Sequence, residues 1–267
     1  MNNISIVLSV VIVCTNEKKF LDSCLISVIN SIKNTSYEII VVDNASTDGS
    51  RELIQEYYSS VKLIKNPINK GAAFARNFGA KQALGEFIAF LDCDTQIQGT
   101  ALEDLVYFLK INKDAGIVSP QLVYPDGSLQ YSCRPFPNLF IFFLRLVWDG
   151  DMDFLKRTKR LKRLRNYFMV DWDHDSMREV DWTMSACWVL RREIFEEIGM
   201  FDSGYFYNYE DVDFSWRVKK AGRKIIYYPE AKVIHHYQRL SAKGGIMNPL
   251  KWHHLKSAIR FFIKKHF

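Results

Sequence analysis

The sequence predicts an α/β fold: a mostly parallel mixed sheet flanked by helices, with an amphipathic helix at the C-terminal end. Three observations predict it. Short strand-like runs alternate with apolar stripes at three/four spacing through the first 95 residues. The strand-like runs are apolar on both faces, as strands covered by helices on both sides are. Three of them end on polar residues, at Cys14–Asn16, Asp43–Asp48 and Asp92–Asp94, where ligands bind in such sheets.

The elements follow in order. Ile4–Cys14 reads as a buried first strand. It is eleven residues long, short of the ~20 that span a bilayer, and it lacks the charged leader and cleavage site of a signal peptide. Phe20, Leu21, Cys24, Leu25, Val28, Ile29 and Ile32 then form a helical stripe. Glu38–Asp43 is the second strand, Ser50–Tyr58 a helix and Val61–Lys65 the third strand. Ala72–Leu84 is a small-residue helix and Glu86–Leu91 the fourth strand. Thr100-Ala101-Leu102-Glu103 has capping-box spacing and opens a helix to about Lys113. Gln121–Tyr131 reads as a hairpin about Pro125-Asp126-Gly127. Arg134–Val180 carries no regular pattern. Regularity returns with Trp182–Leu190, a helix Arg191–Ile198 closed by Gly199, and a helix Asp211–Ala221 closed by Gly222. Two short strands, Lys224–Tyr228 and Lys232–His235, end the regular part.

Composition narrows the classes. With 48% hydrophobic and 14% aromatic residues in 267, the chain can bury a substantial core and is not disordered. Five cysteines, an odd number without Cys-x-x-Cys spacing, point to a reducing, cytoplasmic compartment rather than to disulfides or zinc. Of the excess positive charge (+6), seven cations sit in Lys156–Arg165 with no anion among them. The basicity is therefore local. The dinucleotide fingerprint and the P-loop are absent, and Asn69-Lys70-Gly71-Ala72 is only superficially loop-like. Asp171-x-Asp173-x-Asp175 begins like a calcium loop, but Ser176 and Trp182 stand where glycine and glutamate are needed, so it reads as a solvated acidic loop.

Four places carry candidate chemistry. Asp92 and Asp94, directly after a buried strand, can converge on one hard divalent cation with diphosphate oxygens completing its shell, or can simply cap the following loop. Asp43 can accept from a nucleobase or ribose, or form an Asx turn. Glu210 and Asp211 open a helix beside Phe206, Tyr207 and Tyr209: either they cap it, or a carboxylate faces a sugar wall and deprotonates an acceptor hydroxyl. Of His235 and His236, alternation lets only one face a site.

Taken in order, these runs resemble a family 2 glycosyltransferase of the GT-A fold, in particular its bacterial rhamnosyltransferase-like branch. The matching runs are Val10–Asn16, Glu38–Asp48, Asn69–Gly71, Ala75–Gly79, Gly85–Thr95, Ser185–Arg192, Gly199–Asp202, Glu210–Asp213 and Pro229–His236. They cover about 1–125 and 180–240. The resemblance implies that Asp43 contacts the base while Asn16 and Arg76 line the nucleotide pocket. Asp92 and Asp94 would be the Asp-x-Asp pair on the diphosphate and metal, His235 a further metal ligand and Asp211 the general base. It implies a manganese or magnesium ion, a nucleotide-diphosphate sugar (rhamnose-like or another hexose) as donor, and a glycan or lipid-linked glycan acceptor in bacterial surface polysaccharide synthesis. The expected reaction is one inverting displacement. Cys14-Thr15-Asn16 departs from the usual Thr-Tyr-Asn or Asn-x-Asn, which leaves base contacts from that loop open. Family members also commonly continue past the point where this chain stops, so a truncated C-terminus is an expectation.

The implied organisation is a catalytic domain over 1–240 and an amphipathic basic tail over 241–267. Within the domain, 1–125 is the nucleotide-binding half and 126–240 the acceptor half, with a basic insert at about 150–170. On a helical projection Phe154, Leu161, Leu164 and Phe168 share a face. Trp252, Leu255, Ile259, Phe262 and Ile263 form a second stripe beside Lys256, Arg260 and Lys264. Such faces lie on anionic membranes or pack on the domain. The first alternative places the protein peripherally at the inner face of the plasma membrane. Two competing readings are weaker. A nucleotidyltransferase would carry a Gly-rich basic loop where Val11–Asn16 has no glycine. A nucleic-acid-binding protein using Lys156–Arg165 leaves Asp92, Asp94, Asp211 and His235 without a role, so no nucleic-acid partner is expected.

Overall fold

The computed structural model describes residues 5–148, 151–238 and 247–266. Strand β1 (Leu8–Cys14), helix α1 (Lys18–Ser31), β2 (Tyr37–Asn44), α2 (Ser50–Tyr57), β3 (Lys62–Asn66), α3 (Ala72–Ala80) and β4 (Phe87–Asp92) form the expected alternation. They are followed by β5 (Thr95–Ile97), α4 (Ala101–Ile111), β6 (Ala115–Val123), β7 (Cys133–Arg134), α5 (Leu139–Val147), α6 (Met152–Arg157) and α7 (Lys162–Tyr167). The chain continues through β8 (Arg178–Glu179), β9 (Trp182–Thr183), β10 (Cys187–Arg191), α8 (Arg192–Glu197), α9 (Glu210–Lys220), β11 (Lys224–His235) and α10 (Pro249–His266).

The main sheet has nine strands, in the order β3-β2-β1-β4-β10-β6-β11-β5 with β8 paired to β11. Strands β1, β2, β3 and β4 are mutually parallel. Strand β10 runs against both β4 and β6, and β11 runs parallel to β6, so six strands share one direction. The period-two alternation of the sequence separates two cores. Leu8, Val10, Ile12, Ile39, Val41, Phe87 and Ala89 pack under α1 and α4, while Val11, Ile40, Val42, Ile88 and Phe90 pack under α3, α8 and α9. Residues buried on both sides of a central strand leave no amphipathic signal, which is why these runs read as continuous. Helix α3 is built of small residues because it lies directly on the sheet. A Cβ at Gly79 would stand 2.5 Å from Val11 Cγ1 and 2.9 Å from Val42 Cγ2.

Several expectations need correction. Helix α3 ends at Ala80 rather than Leu84. At α4 the capping box does not form: Thr100 Oγ1 bonds to Asp104 Oδ2, and Glu103 accepts from the Asn34 backbone N–H on a neighbouring loop. The expected hairpin is a tight turn, with Tyr124 N–H donating to Ser128 O at 2.8 Å, but its returning arm is only a bridge from Val123 to Leu129. Strand β6 instead pairs along its length with β11. The two short strands near the end are one strand, β11, with an irregularity between Tyr228 and Lys232.

The patternless stretch Arg134–Val180 holds three short helices, and they have a core of their own. Ile141, Leu155, Leu164, Tyr167 and Phe168 pack with Tyr205, Tyr209, Ala258, Phe261 and Phe262, so α10 is docked on this cluster rather than trailing as a tail. The single basic amphipathic helix implied by Phe154, Leu161, Leu164 and Phe168 does not exist. The chain breaks between α6 and α7, Leu164 and Phe168 turn inward, and only Phe154 of the four is exposed. Arg165 holds the break closed by donating to the carbonyls of Leu155, Lys156 and Thr158 and pairing with Asp171. On α10 the stripe divides: Phe262 is buried, while Trp252, Ile259 and Ile263 face outward.

Candidate active site

The ends of β1, β2 and β4 and the start of α9 surround a cavity of about 360 Å³. It is lined by Arg76, Asp92, Asp94, Asp211 and His235 among others, so five of the seven residues singled out in the sequence meet there.

Asp92 closes β4, and the chain turns through Cys93 and Asp94 into β5. That strand pairs antiparallel with the end of β11, placing His235 opposite Thr95. This pairing is what brings His235 beside Asp94, with Nε2 3.4 Å from Asp94 Oδ1. Asp92, Asp94 and His235 each present a ligand atom within 4.8 Å of the others. Two carboxylates and an imidazole form a donor set suited to manganese or magnesium. His235 Nδ1 lies 2.8 Å from Gln130 Oε1. An amide oxygen can only accept, so Nδ1 carries the proton and the Nε2 lone pair is free to ligate. Its neighbour His236 points the other way, its ring 4.9 Å from that of Phe20.

Arg76 is more deeply set than a nucleotide-lining residue needs to be. It is 2% exposed. Its Nη2 meets Asp92 Oδ1 at 2.6 Å, its Nη1 meets Glu210 Oε1 at 3.0 Å, and it donates to Ser185 Oγ at 2.8 Å. Burial alone would lower its pKa, but the two carboxylates more than offset this and raise it. Arg76 therefore joins the end of β4 to the start of α9 and orients Asp92.

Asp211 stands on the first turn of α9. Asn208 (φ 58°) and Tyr209 (φ 69°) are both left-handed, a conformation disfavoured for non-glycine residues that clusters at functional sites. The N-cap residue, Tyr209, makes no side-chain cap hydrogen bond. Among the described residues Asp211 accepts from the Val212 backbone N–H, at 2.8 Å. Burial, then the neighbouring Glu210 carboxylate, pushes its pKa up to about 7, the range in which a general base works best near neutrality.

Asp43 and Asn16 lie outside the cavity lining. Asp43 is buried, its carboxylate taken by Arg51 Nε at 2.5 Å and by the Ser46 backbone N–H. Asn16 Oδ1 accepts from Thr47 N–H at 2.8 Å, tying the loop after β1 to the loop after β2. Asn16 lines a separate open depression with Lys18, Asp22 and Asp48.

Sequence reasoning missed three contributors. Glu17, beside the carboxylate pair, has its pKa pushed up to about 9 by burial and then by Asp94 and Asp92. Gln130 orients His235. The Asn69–Gly71 turn also shapes the wall: Asn69 accepts from Asn44 Nδ2 at 2.7 Å, and a Cβ at Gly71 would meet Phe206 O at 2.3 Å. Only glycine there lets the turn close against the loop before α9. Its φ of +86° favours glycine independently, and the partner lies far along the chain.

Comparison with known proteins bears on the family and the fold. Residues 9–199 match the profile of glycosyl transferase family 2. The chain is 28% identical over 249 residues to the N-acetylglucosaminyl-diphospho-decaprenol L-rhamnosyltransferase of Mycobacterium tuberculosis, covering 85% of this chain and 75% of that protein. Among solved structures, GalNAc-T7 with UDP, GalNAc and Mn2+ superposes with a TM-score of 0.64 at 21% identity, over 89% of this chain and 45% of that one. The mannosyltransferase PcManGT of Pyrobaculum calidifontis, solved with GDP-Man and Mn2+, superposes with a TM-score of 0.60 at 17% identity, over 97% of this chain and 63% of that one. The sheet order and its flanking helices are those of the GT-A fold.

Proposed function

The chain belongs to glycosyl transferase family 2, and from that premise we propose that it is a metal-dependent, inverting hexosyltransferase. It would move a sugar from a nucleotide-diphosphate donor to a hydroxyl of a glycan or lipid-linked glycan. The observation that carries the reading is the convergence of Asp92, Asp94 and His235 across one cavity from Asp211. A divalent cation bound by the three would stabilise the departing diphosphate's charge. Asp211 accepts the acceptor hydroxyl's proton as that oxygen attacks the anomeric carbon from the opposite face. Base and leaving group on opposite faces make one displacement and inversion. Arg76 keeps Asp92 oriented, and Gln130 keeps His235 in its ligating tautomer.

The acceptor half is supported by the mycobacterial relative, which is named for N-acetylglucosaminyl-diphospho-decaprenol. Among the described residues no helix is long and apolar enough to cross a membrane. A surface is nevertheless available for peripheral contact at an inner leaflet. Leu139, Phe140 and Phe143 of α5 and Trp252, Ile259 and Ile263 of α10 are exposed, and Arg163 lies over Phe140 at 4.2 Å.

The direct test is a thermal-shift screen of nucleotide sugars with and without manganese, followed by a hydrolysis and transfer assay on the hit. One donor that stabilises the protein only with the cation supports the reading. No stabilisation by any nucleotide sugar in manganese would sink it.

A further inference from the structure

A second, smaller cavity of about 130 Å³ meets the first at Met184 and Tyr237, which line both. It lies behind His235, on the side of Gln130. Its lining contains no carboxylate and is rich in hydrogen-bond donors. Arg134 is only 9% exposed and spends one donor on Tyr131 O at 2.6 Å, with its guanidinium 4.7 Å from the Phe168 ring. Among the described residues Arg145 donates to the Tyr167 hydroxyl, at 3.4 Å. Neither arginine forms an ion pair among the described residues.

Two more donors are unspent: among the described residues, Trp148 Nε1 and Gln130 Nε2 are buried without a partner. The orientation of Gln130 is not arbitrary: its oxygen faces His235 Nδ1, so its amide nitrogen points away from the metal ligands. Gln130 itself is 2% exposed. A buried cation without a counter-charge, as at Arg134, and buried N–H groups without an acceptor are each unfavourable. Burial depresses the Arg134 pKa, while that of Arg145 is raised in spite of burial by the neighbouring Tyr167. An oxyanion held in this cavity would accept from these groups. A phosphoryl group presents three terminal oxygens in a tetrahedral array to donors on several walls, where the two oxygens of a carboxylate lie in one plane, and guanidinium recognises it well. The cavity is smaller than the roughly 300 Å³ at which small-molecule pockets begin, so it accommodates a group rather than a whole substrate.

We propose that this cavity is an anion subsite for a phosphoryl group carried by the acceptor, which anchors the acceptor while its hydroxyl lies before Asp211. The inference rests on the transferase reading for its role, but its binding chemistry does not require it.

The test separates the two. In the 15N-labelled chain with EDTA and no nucleotide, the Trp148 indole N–H signal, assigned by its loss in Trp148→Phe, is followed during titration. Phenyl phosphate and farnesyl diphosphate are the probes, with benzoate and inorganic phosphate as controls. The esters are expected to move this signal, and benzoate to bind at least about tenfold more weakly. Arg145→Gln, at a partly exposed position, should weaken ester binding by about tenfold or more, the loss of one charge-assisted hydrogen bond. Arg134→Lys, which keeps the charge in the aromatic stack, should weaken it less than Arg145→Gln does. An unmoved indole signal at millimolar ester, or undiminished affinity in a folded Arg145→Gln protein, overturns the proposal. Tighter binding of inorganic phosphate than of either ester makes this a free-phosphate site and overturns its assignment to the acceptor. Because metal and donor are absent, a failed transfer assay leaves this result untouched, and a failed titration leaves the transferase reading untouched.

Discussion

Asp211→Asn should make the protein more stable at pH 8 while abolishing transfer. The reasoning is one of linkage. Burial and Glu210 raise the Asp211 carboxyl from 3.8 to about 7. Between those values the folded protein holds a proton that the unfolded chain has lost, so stability falls as pH rises through that window and levels off above it. At about 1.4 kcal/mol per pH unit the full penalty at pH 8 is roughly 4 kcal/mol. Partial solvent contact and coupling to Glu210 reduce this, and asparagine brings its own amide to be satisfied, so we expect a gain of about 1–2 kcal/mol. Below pH 4 the carboxyl is protonated in both states, and the gain should vanish. Urea denaturation of both proteins at pH 4, 6 and 8 in EDTA measures it. Transfer should drop by several orders of magnitude with donor affinity nearly unchanged, as removal of a general base requires. Parallel pH–stability curves for the two proteins, or full activity in the variant, would refute both the electrostatics and the catalytic role.

Gln130→Leu removes the acceptor that fixes the His235 tautomer. Manganese affinity, followed by the cation-induced rise in Tm, should fall about 10- to 100-fold; an unchanged affinity would place the third ligand elsewhere. Arg76→Met strands two carboxylates around a buried site and should destabilise the fold by about 3–5 kcal/mol in chemical denaturation, whereas a loss below about 1 kcal/mol would reduce Arg76 to a peripheral contact. Flotation with anionic liposomes should carry the protein upward. Phe143→Ser with Trp252→Ser should lower the bound fraction at least about tenfold, each ring contributing on the order of 1.5–3 kcal/mol of burial. Equal flotation of wild type and double variant would dismiss the membrane surface.

How much of this was readable in the sequence depends on where each residue's partner lies. The first four strands were legible because the runs holding Val10, Ile40 and Ile88 are short and continuously apolar, as strands covered on both faces are. Asp92 and Asp94 stood out because a parallel sheet collects ligands at the carboxyl ends of its strands, whereas Asp211, on a helix start, and His235 drew their expected roles from the family resemblance. The segment Arg134–Val180 was not legible, because α6 and α7 are six residues each, too short for a reliable period. Their apolar partners also come from α10, about a hundred residues on. Gln130 and Glu17 were invisible for a similar reason: a lone amide or carboxylate acquires meaning only from neighbours that the fold supplies. The capping box failed because Glu103 found a better donor on another loop, at Asn34.

The pairing of β5 with β11 has a consequence for how the protein is made. The site's two carboxylates lie in the first part of the chain and its imidazole near the end of the last strand, so a nascent chain that stops before β11 has the carboxylates without the histidine. On the proposed reading, capture of a cation by all three residues would be a late event in synthesis, because the third ligand arrives only with the last strand.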